Sequence, residues 1–231
     1  MTQVPVSGAR HRASGGGSSS RREAQILAAA TALMTKKGLA FSTRELADAV
    51  GVSQPLVYRY FPSKAVLLDR VFEEVYVKRW DPFWSDVLCD RAIPLSERLV
   101  KYLGSYTAAI LDEAWIRIFL ASAIDEPAIA QRYLRLLHET TFSQILDELV
   151  HEYGSGISRS PNFDLLAKEM VWSFHSSFFY LGVRKFVYRL PIPEPLTPHI
   201  RLKVEIFLAS MRCGLAAIER QSNEESSTCA D

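Results

Sequence analysis

The sequence predicts an all-α protein, and three observations carry that expectation. Apolar residues recur at helical spacing over long stretches, no period-2 alternation runs over any useful length, and Gly, Pro and capping residues punctuate the chain where helices would stop and start. The pattern divides into an N-terminal three-helix unit containing a helix-turn-helix and a longer C-terminal helical body. With 231 residues, 48% hydrophobic and 23% charged, the chain is long and apolar enough to bury a sizeable core and is not a wholly disordered one.

The elements follow in order. Residues 1–20 are Gly/Ser-rich around Gly15, Gly16 and Gly17 and read as a flexible arm. From Arg21, Ile26, Leu27, Ala30, Leu33 and Met34 line one face of a helix, with Lys36 and Lys37 in its last turn and Gly38 as the stop. Ser42 and Glu45 form a capping box for the next helix, flanked by Phe41 and Leu46 at the positions of a hydrophobic staple. That helix reaches Val50, and Gly51 supplies a sharp turn. Ser53 is the N-cap of a short helix ending near Tyr60 and Pro62, and Ser63 caps a longer one starting at Lys64. Further helices are expected over 64–79, 95–111, 114–124, 128–153, 164–188 and 197–221. The densest break holds Pro191, Pro193, Pro195 and Pro198. This divides the chain into an arm (1–20), a helix-turn-helix domain (21–64), a helical body (65–221) and a disordered polar tail (222–231).

The net charge of +1 hides an asymmetry. Residues 1–64 hold nine basic and three acidic residues, a balance of +6, against 18 basic and 23 acidic residues, −5, in the remainder. A polyanion partner for the first part and a simply solvated basic end both fit this distribution. Three widely spaced cysteines (Cys89, Cys213, Cys229) form neither a disulfide framework nor a metal-binding pair, which favours a reducing, cytoplasmic setting. The longest uncharged stretch, 170–183, contains His175 and falls short of the roughly 20 apolar residues of a membrane span. The glycine-rich, zinc-binding and nucleophile-elbow patterns of common enzymes are absent from the sequence, so neither catalysis nor a metal or cofactor is expected.

Ala47, where two helices cross closely, and Gly51, four residues later in the turn, satisfy the helix-turn-helix pattern. Leu46, Val50, Val52 and Val57 supply its inward face. Gln54, Tyr58, Arg59 and Tyr60 are left facing outward on the second helix, whose N-terminal end would enter the major groove of double-stranded DNA. A glutamine amide can bond the edge of adenine in a bidentate way. Tyrosine hydroxyls and Lys64 suit phosphates, the latter at a helix start whose free N–H groups favour an anion.

Residues 22–72, carried by 41–47, 51–55 and 57–64, resemble the DNA-binding domain of the TetR-like (tetracycline-repressor-like) transcriptional regulators. The resemblance implies that Thr43 and Arg44 contact a phosphate and a base, that Gln54 and Pro55 approach base edges beside the N-cap Ser53, and that Tyr58, Tyr60 and Lys64 grip phosphates. Arg59 is free to read a base, and Leu56 stands where many members carry a small residue. It further implies a repressor that binds a palindromic operator as a homodimer and is released by a small aromatic or apolar effector. A response to a protein partner, metal or redox signal is the alternative. Candidate pocket residues are Trp115, Phe119, Tyr133, Phe142, Trp172 and Phe179, with His138 and His175 as polar handles. The same residue types also serve simply as core. The dimer surface is expected on the last two long helices, through Phe163, Leu166, Met170, Val171, Phe174, Phe178 and Leu181 on one and Ile206, Phe207, Met211, Gly214, Leu215 and Ile218 on the other.

Overall fold

The computed structural model describes residues 15–228, and side chains between residues 19 and 223. Residues 1–14 of the expected arm, with Arg10 and Arg12, and residues 229–231 of the expected tail lie outside the described residues. Every regular element among the described residues is helical. They form two compact units, Met1–Val71 and Phe72–Asp231, so the division falls seven residues beyond the expected position at Lys64.

In the first unit α1 (Gly15–Lys37) packs on α2 (Thr43–Val50), which packs on α3 (Gln54–Tyr60). The start of α1 is six residues earlier than the expected Arg21. Ser19, inside that added stretch, hydrogen-bonds the Tyr60 hydroxyl and so ties the extra turns to the unit. The capping box forms as expected. The Ser42 N–H donates to Glu45 Oε2 at 2.8 Å, and the Glu45 N–H donates to Ser42 Oγ at 3.1 Å. The Lys37 ammonium and then Ser42 hold the Glu45 carboxyl down at about 2. Gly51 adopts φ 71°, ψ 40°, a left-handed conformation that favours glycine, and the Val52 N–H returns to the Ala47 carbonyl at 3.0 Å. Ser53 sits at the N-cap of α3, but its hydroxyl makes no capping hydrogen bond. The core is Ile26, Ala30, Met34, Phe41, Leu46, Ala47, Val57 and Phe61, whereas Val50 and Val52 are only half-buried. The Ser63 hydroxyl caps α4 (Lys64–Val75), which runs across the division between the units.

The second unit continues with a 3-10 turn (Val77–Arg79), α5 (Phe83–Cys89), α6 (Leu95–Ile110), α7 (Glu113–Asp125) and α8 (Pro127–Leu137). A π turn (His138–Phe142) joins α8 to α9 (Ser143–Tyr153), and α10 (Pro161–Gly182) ends in a second π turn (Val183–Val187). The long α11 (Leu196–Thr228) closes the chain. The single helix expected over 128–153 is thus continuous but widened and underwound at its centre, and α5 has no counterpart among the expected helices. The tail beyond residue 221 also departs from expectation. α11 runs on to Thr228, and at the start of this added stretch Ser222 is fully buried and its carbonyl accepts from Asn162 at 3.4 Å. α6 is central, packing against α5, α10 and α11. Gly182 lets α10 approach α7, since a Cβ there would lie 2.7 Å from Ile116 Cγ1.

The two stripes expected at a dimer surface divide differently. Phe163, Val171, Phe178 and Leu181 of α10 and Phe207, Met211 and Leu215 of α11 are buried in this chain's own core. The apolar side chains left open are Leu165, Met170 and Tyr180 on α10 and Leu202 and Ile206 on α11. A 3.6-residue repeat marks an apolar stripe but not which covering it receives, so α11 turns the larger residues inward and leaves Ile206 out.

One buried charge network joins α5, α6 and α9. The Glu148 carboxylate receives Arg98 Nη1 at 2.7 Å and a forked pair of bonds from Arg91, while Arg98 also donates to the Leu88 carbonyl. Burial alone would raise the Glu148 pKa, but the hydrogen bonds from the two guanidiniums outweigh it and hold the carboxyl below the ordinary range. Glu148→Gln leaves the buried Arg98 without its counter-charge and should cost about 3 kcal/mol in denaturant unfolding. Because the folded-state pKa is depressed, this contribution is complete above the unfolded value of about 4.3 and is lost as pH falls below it. The gap between parent and variant should therefore narrow under acid.

Candidate functional site

The first unit gathers several of the expected contact residues at the head of α3. Gln54 Nε2 donates to Thr43 Oγ1 at 2.8 Å, and Thr43 Oγ1 lies 3.1 Å from the Tyr58 hydroxyl. The α2 start and one face of α3 are thus linked by side chains that also line their outer surface. Gln54 uses one amide N–H on Thr43 and keeps its carbonyl oxygen and second N–H, the pair an adenine edge requires. Arg44, Ser53, Pro55, Tyr58 and Arg59 are exposed, and Tyr60 and Leu56 are half-buried. The Arg59 guanidinium lies 5.6 Å from the Tyr60 ring centre. Hydrogen bonds from Ser19 and then Arg59 lower the Tyr60 phenol pKa.

Lys64 is placed differently from the simple expectation. Its ammonium donates to the Leu39 carbonyl at 2.5 Å and the Phe41 carbonyl at 2.9 Å, and sits 5.0 Å from the Phe41 ring centre. Two of its three donors therefore close the open carbonyl end ahead of α2, and one remains for an anion. Sequence spacing indicates a lysine at a helix start, but not that the α1–α2 connection passes within reach of it.

The second unit encloses an aromatic chamber of about 190 Å³. Trp115, Phe119, Tyr133, Phe142, Trp172, His175 and Phe179 line it, seven of the eight residues singled out in the sequence. His138 is the exception. It lies behind the wall, 6.2 Å from Phe142 and 5.9 Å from Trp172 between ring centres. Tyr106, Leu134, Leu137 and Ser176 complete the lining. Tyr106 stands one turn after Tyr102 among aliphatic residues of α6, a spacing that reads simply as core, and only the packing of α6 against α10 brings it here. The rings brace one another. Trp115 and Phe119 stack at 5.3 Å and 7°, Phe179 meets Phe119 at 5.4 Å edge-on, and Phe142 meets Trp172 at 5.5 Å. The π turn carries Phe142 into the wall, and such turns frequently sit at functional sites.

His175 is 2% exposed, its Nε2 is hydrogen-bonded with the Tyr102 hydroxyl at 2.7 Å, and its ring lies 4.3 Å from that of Tyr106. Burial with no counter-charge depresses its pKa to about 3, so the ring is neutral. Burial likewise raises the phenol pKa values of Tyr76, Tyr102, Tyr106 and Tyr133. The chamber is therefore uncharged, with a few phenol and imidazole hydrogen-bonding groups on a largely apolar wall, which suits an apolar molecule with sparse polar atoms. No group of His, Cys, Asp and Glu suited to a metal occurs among the described residues, and none of their helices is long and apolar enough to cross a membrane.

Residues 26–71 match the family described as bacterial regulatory proteins, tetR family. No curated protein sequence matches the chain significantly. Among solved structures, the chain is similar to a tetR-family transcriptional regulator from Streptomyces coelicolor (21% identity, 89% of each chain covered, TM-score 0.56). It is also similar to a TetR-like transcriptional regulator from Rhodococcus sp. RHA1 (13% identity, 85% of this chain and 96% of that one, TM-score 0.58). A TetR family transcription regulator from Marinobacter aquaeolei VT8 matches at 18% identity over 84% of this chain and 96% of that one, with TM-score 0.56. At these identities the structures speak for the fold, and the sequence match over the helix-turn-helix speaks for the family. Residues 26–71 thus carry the tetR-family sequence pattern, and the chain shares the fold of the TetR-type regulators it matches.

Neutral His175 in the folded chain has a measurable consequence. Its unfolded pKa is about 6.5, so unfolding takes up a proton between that pH and the depressed folded value. Its contribution is lost as pH falls, by about 2 kcal/mol between pH 7.5 and pH 5. His175→Gln keeps a polar group near Tyr102 but does not titrate. Denaturant unfolding of the variant should lose about that much less stability on acidification than the parent does.

Proposed function

We propose that this chain is a cytoplasmic, ligand-responsive repressor that binds a palindromic operator as a homodimer and is released by a small aromatic or apolar effector. The observation that carries the reading is what each end of α4 is fastened to. Its first residue, Lys64, is bonded to the carbonyls of Leu39 and Phe41 beside the helix-turn-helix. Its last turn carries buried Phe72, and just beyond it the Tyr76 ring meets Trp115 at 5.1 Å while its hydroxyl donates to the Trp115 carbonyl at 3.2 Å. A ligand that binds one arrangement of that aromatic wall better than another biases the setting of α4. In a dimer the separation of the two recognition helices must match half-sites about one helical turn apart or a multiple of it, so a modest change in α4 weakens operator binding. A coupling of about 1–3 kcal/mol is enough for a useful response.

Within the helix-turn-helix, Gln54 reads a base from an amide held by Thr43, and Arg59 projects beside it. Tyr58, Tyr60, Thr43, Arg44 and the remaining Lys64 donor position the unit on phosphates. Leu165, Met170 and Tyr180 with Leu202 and Ile206 are the apolar side chains available to a second copy.

Site selection from random DNA by the full-length protein should return an inverted repeat, and aromatic compounds that raise its melting temperature should release that DNA in a mobility-shift assay. Enrichment of no repeat, or stabilisation by such compounds without any release, would sink the reading. Gln54→Ala should relax the preference at one position of each half-site by about 1–3 kcal/mol while non-specific binding holds. An unchanged selected motif would remove Gln54 from base reading.

A further inference from the structure

A second cavity, of about 520 Å³, lies in the same unit. Phe72, Tyr76 and Trp80 form its apolar floor, and Arg132, Arg135 and Glu139 of α8 and the π turn stand at its rim. Tyr133 is the one side chain that also lines the inner chamber. Its ring lies 5.8 and 6.4 Å from those of Tyr76 and Trp80 and 5.4 and 6.0 Å from those of Trp115 and Phe119. Tyr133, hydrogen-bonded to Tyr106, and Tyr76, packed on Trp115 at 5.1 Å and Phe119 at 6.0 Å, therefore form the partition between the two spaces.

The sizes of the two spaces suit different parts of a ligand. Apolar cavities of roughly 150 Å³ hold a benzene-sized molecule, so about 190 Å³ takes a ring system and little more. Ligand sites typically measure about 300–1,000 Å³, a range the outer cavity reaches by itself and the inner chamber only together with it. The charge at the rim is also uneven. Neither Arg132 nor Arg135 forms an ion pair among the described residues, and Glu139 is not within ion-pair distance of either. The Arg132 guanidinium lies over the Phe72 ring at 5.0 Å, a contact that uses none of its N–H donors for an oxygen acceptor.

We infer that the two cavities form one bipartite site, taking an amphipathic organic anion. Its ring seats in the inner chamber, its linker passes Tyr133, and its carboxylate or similar headgroup lies between Arg132 and Arg135. This rests on the effector reading above and narrows it from an apolar ligand to an aromatic acid.

The test uses calorimetric titration of the full-length protein with 1-naphthaleneacetate and with the uncharged 2-(1-naphthyl)ethanol. The acid should bind roughly tenfold more tightly, as expected for charge-assisted hydrogen bonds at a partly exposed site, and the preference should shrink with added salt. Arg132→Gln with Arg135→Gln should equalise the two probes, while the paired lysine substitutions should keep part of the preference at an unchanged melting temperature. Ser176→Leu, which fills the inner chamber, should abolish binding of both. Equal binding of acid and alcohol, insensitive to the arginine changes, overturns the anion assignment and leaves a neutral apolar effector standing. Acid binding that survives Ser176→Leu places the ligand outside the inner chamber and overturns the bipartite site. Binding of neither probe at millimolar concentration also overturns the site, whereas release of operator by any neutral aromatic would still support the parent reading.

Discussion

The Tyr102 hydroxyl and the His175 imidazole meet at 2.7 Å between α6 and α10, both shut off from solvent, and the architecture of the second unit answers to that pair. Each group gives the other a partner in place of lost water, with Thr141 also bonded to the Tyr102 hydroxyl, and leaving a buried polar group unpartnered costs about 1–3 kcal/mol. The pair stays dry because rings close around it. Tyr106 lies against His175 on one side and Phe142 on another, and Trp84 of α5 reaches Tyr102 edge-on. α5, α6, the π turn and α10 are each needed to complete this enclosure. The same rings explain why a void survives beside it. Rigid aromatic planes braced edge to face cannot collapse into a space as flexible aliphatic chains do, so the chamber persists within close packing.

The first unit depends on a smaller set of constraints. Gly51 in the left-handed region turns the chain between α2 and α3, and the reciprocal Ser42–Glu45 bonds fix where α2 begins. With both set, Thr43 and Gln54 come within hydrogen-bond distance across the turn. Preorganising a long glutamine side chain removes part of the rotamer entropy otherwise lost when it engages a base. Lys64 adds a tie from the start of α4 to the chain just before α2, so the segment that supports the recognition helix is itself fastened.

Much of this was legible from residues alone where local chemistry decides. The capping box, the staple, the left-handed glycine and the order of helices all follow from neighbours within a few positions. The seven aromatic and imidazole lining residues were legible because bulky rings on facing helices have few places to go. What needed tertiary information was the side each residue takes. Phe207 and Met211 on α11 satisfy a dimer stripe and a core stripe equally well by spacing, and only the neighbouring α6 and α10 decide for the core. α5 was unreadable because seven residues after Pro82 carry too short a repeat to stand out. Tyr106 and the outer cavity required knowing which helices are neighbours. His138, one residue into the π turn, is rotated off the face that a regular helix would have given it.

That π turn carries one residue more than a regular helical turn would hold, without interrupting the run from α8 through α9. In a regular helix an added residue would swing everything beyond it by about 100° around the axis. The wider π turn takes up that residue locally instead, so α9 keeps the phase of α8 and Glu148 stays on the face that meets Arg91 and Arg98. The extra residue is spent inside the chamber wall, where it sets Phe142, and the charge network a turn and a half further on does not register it.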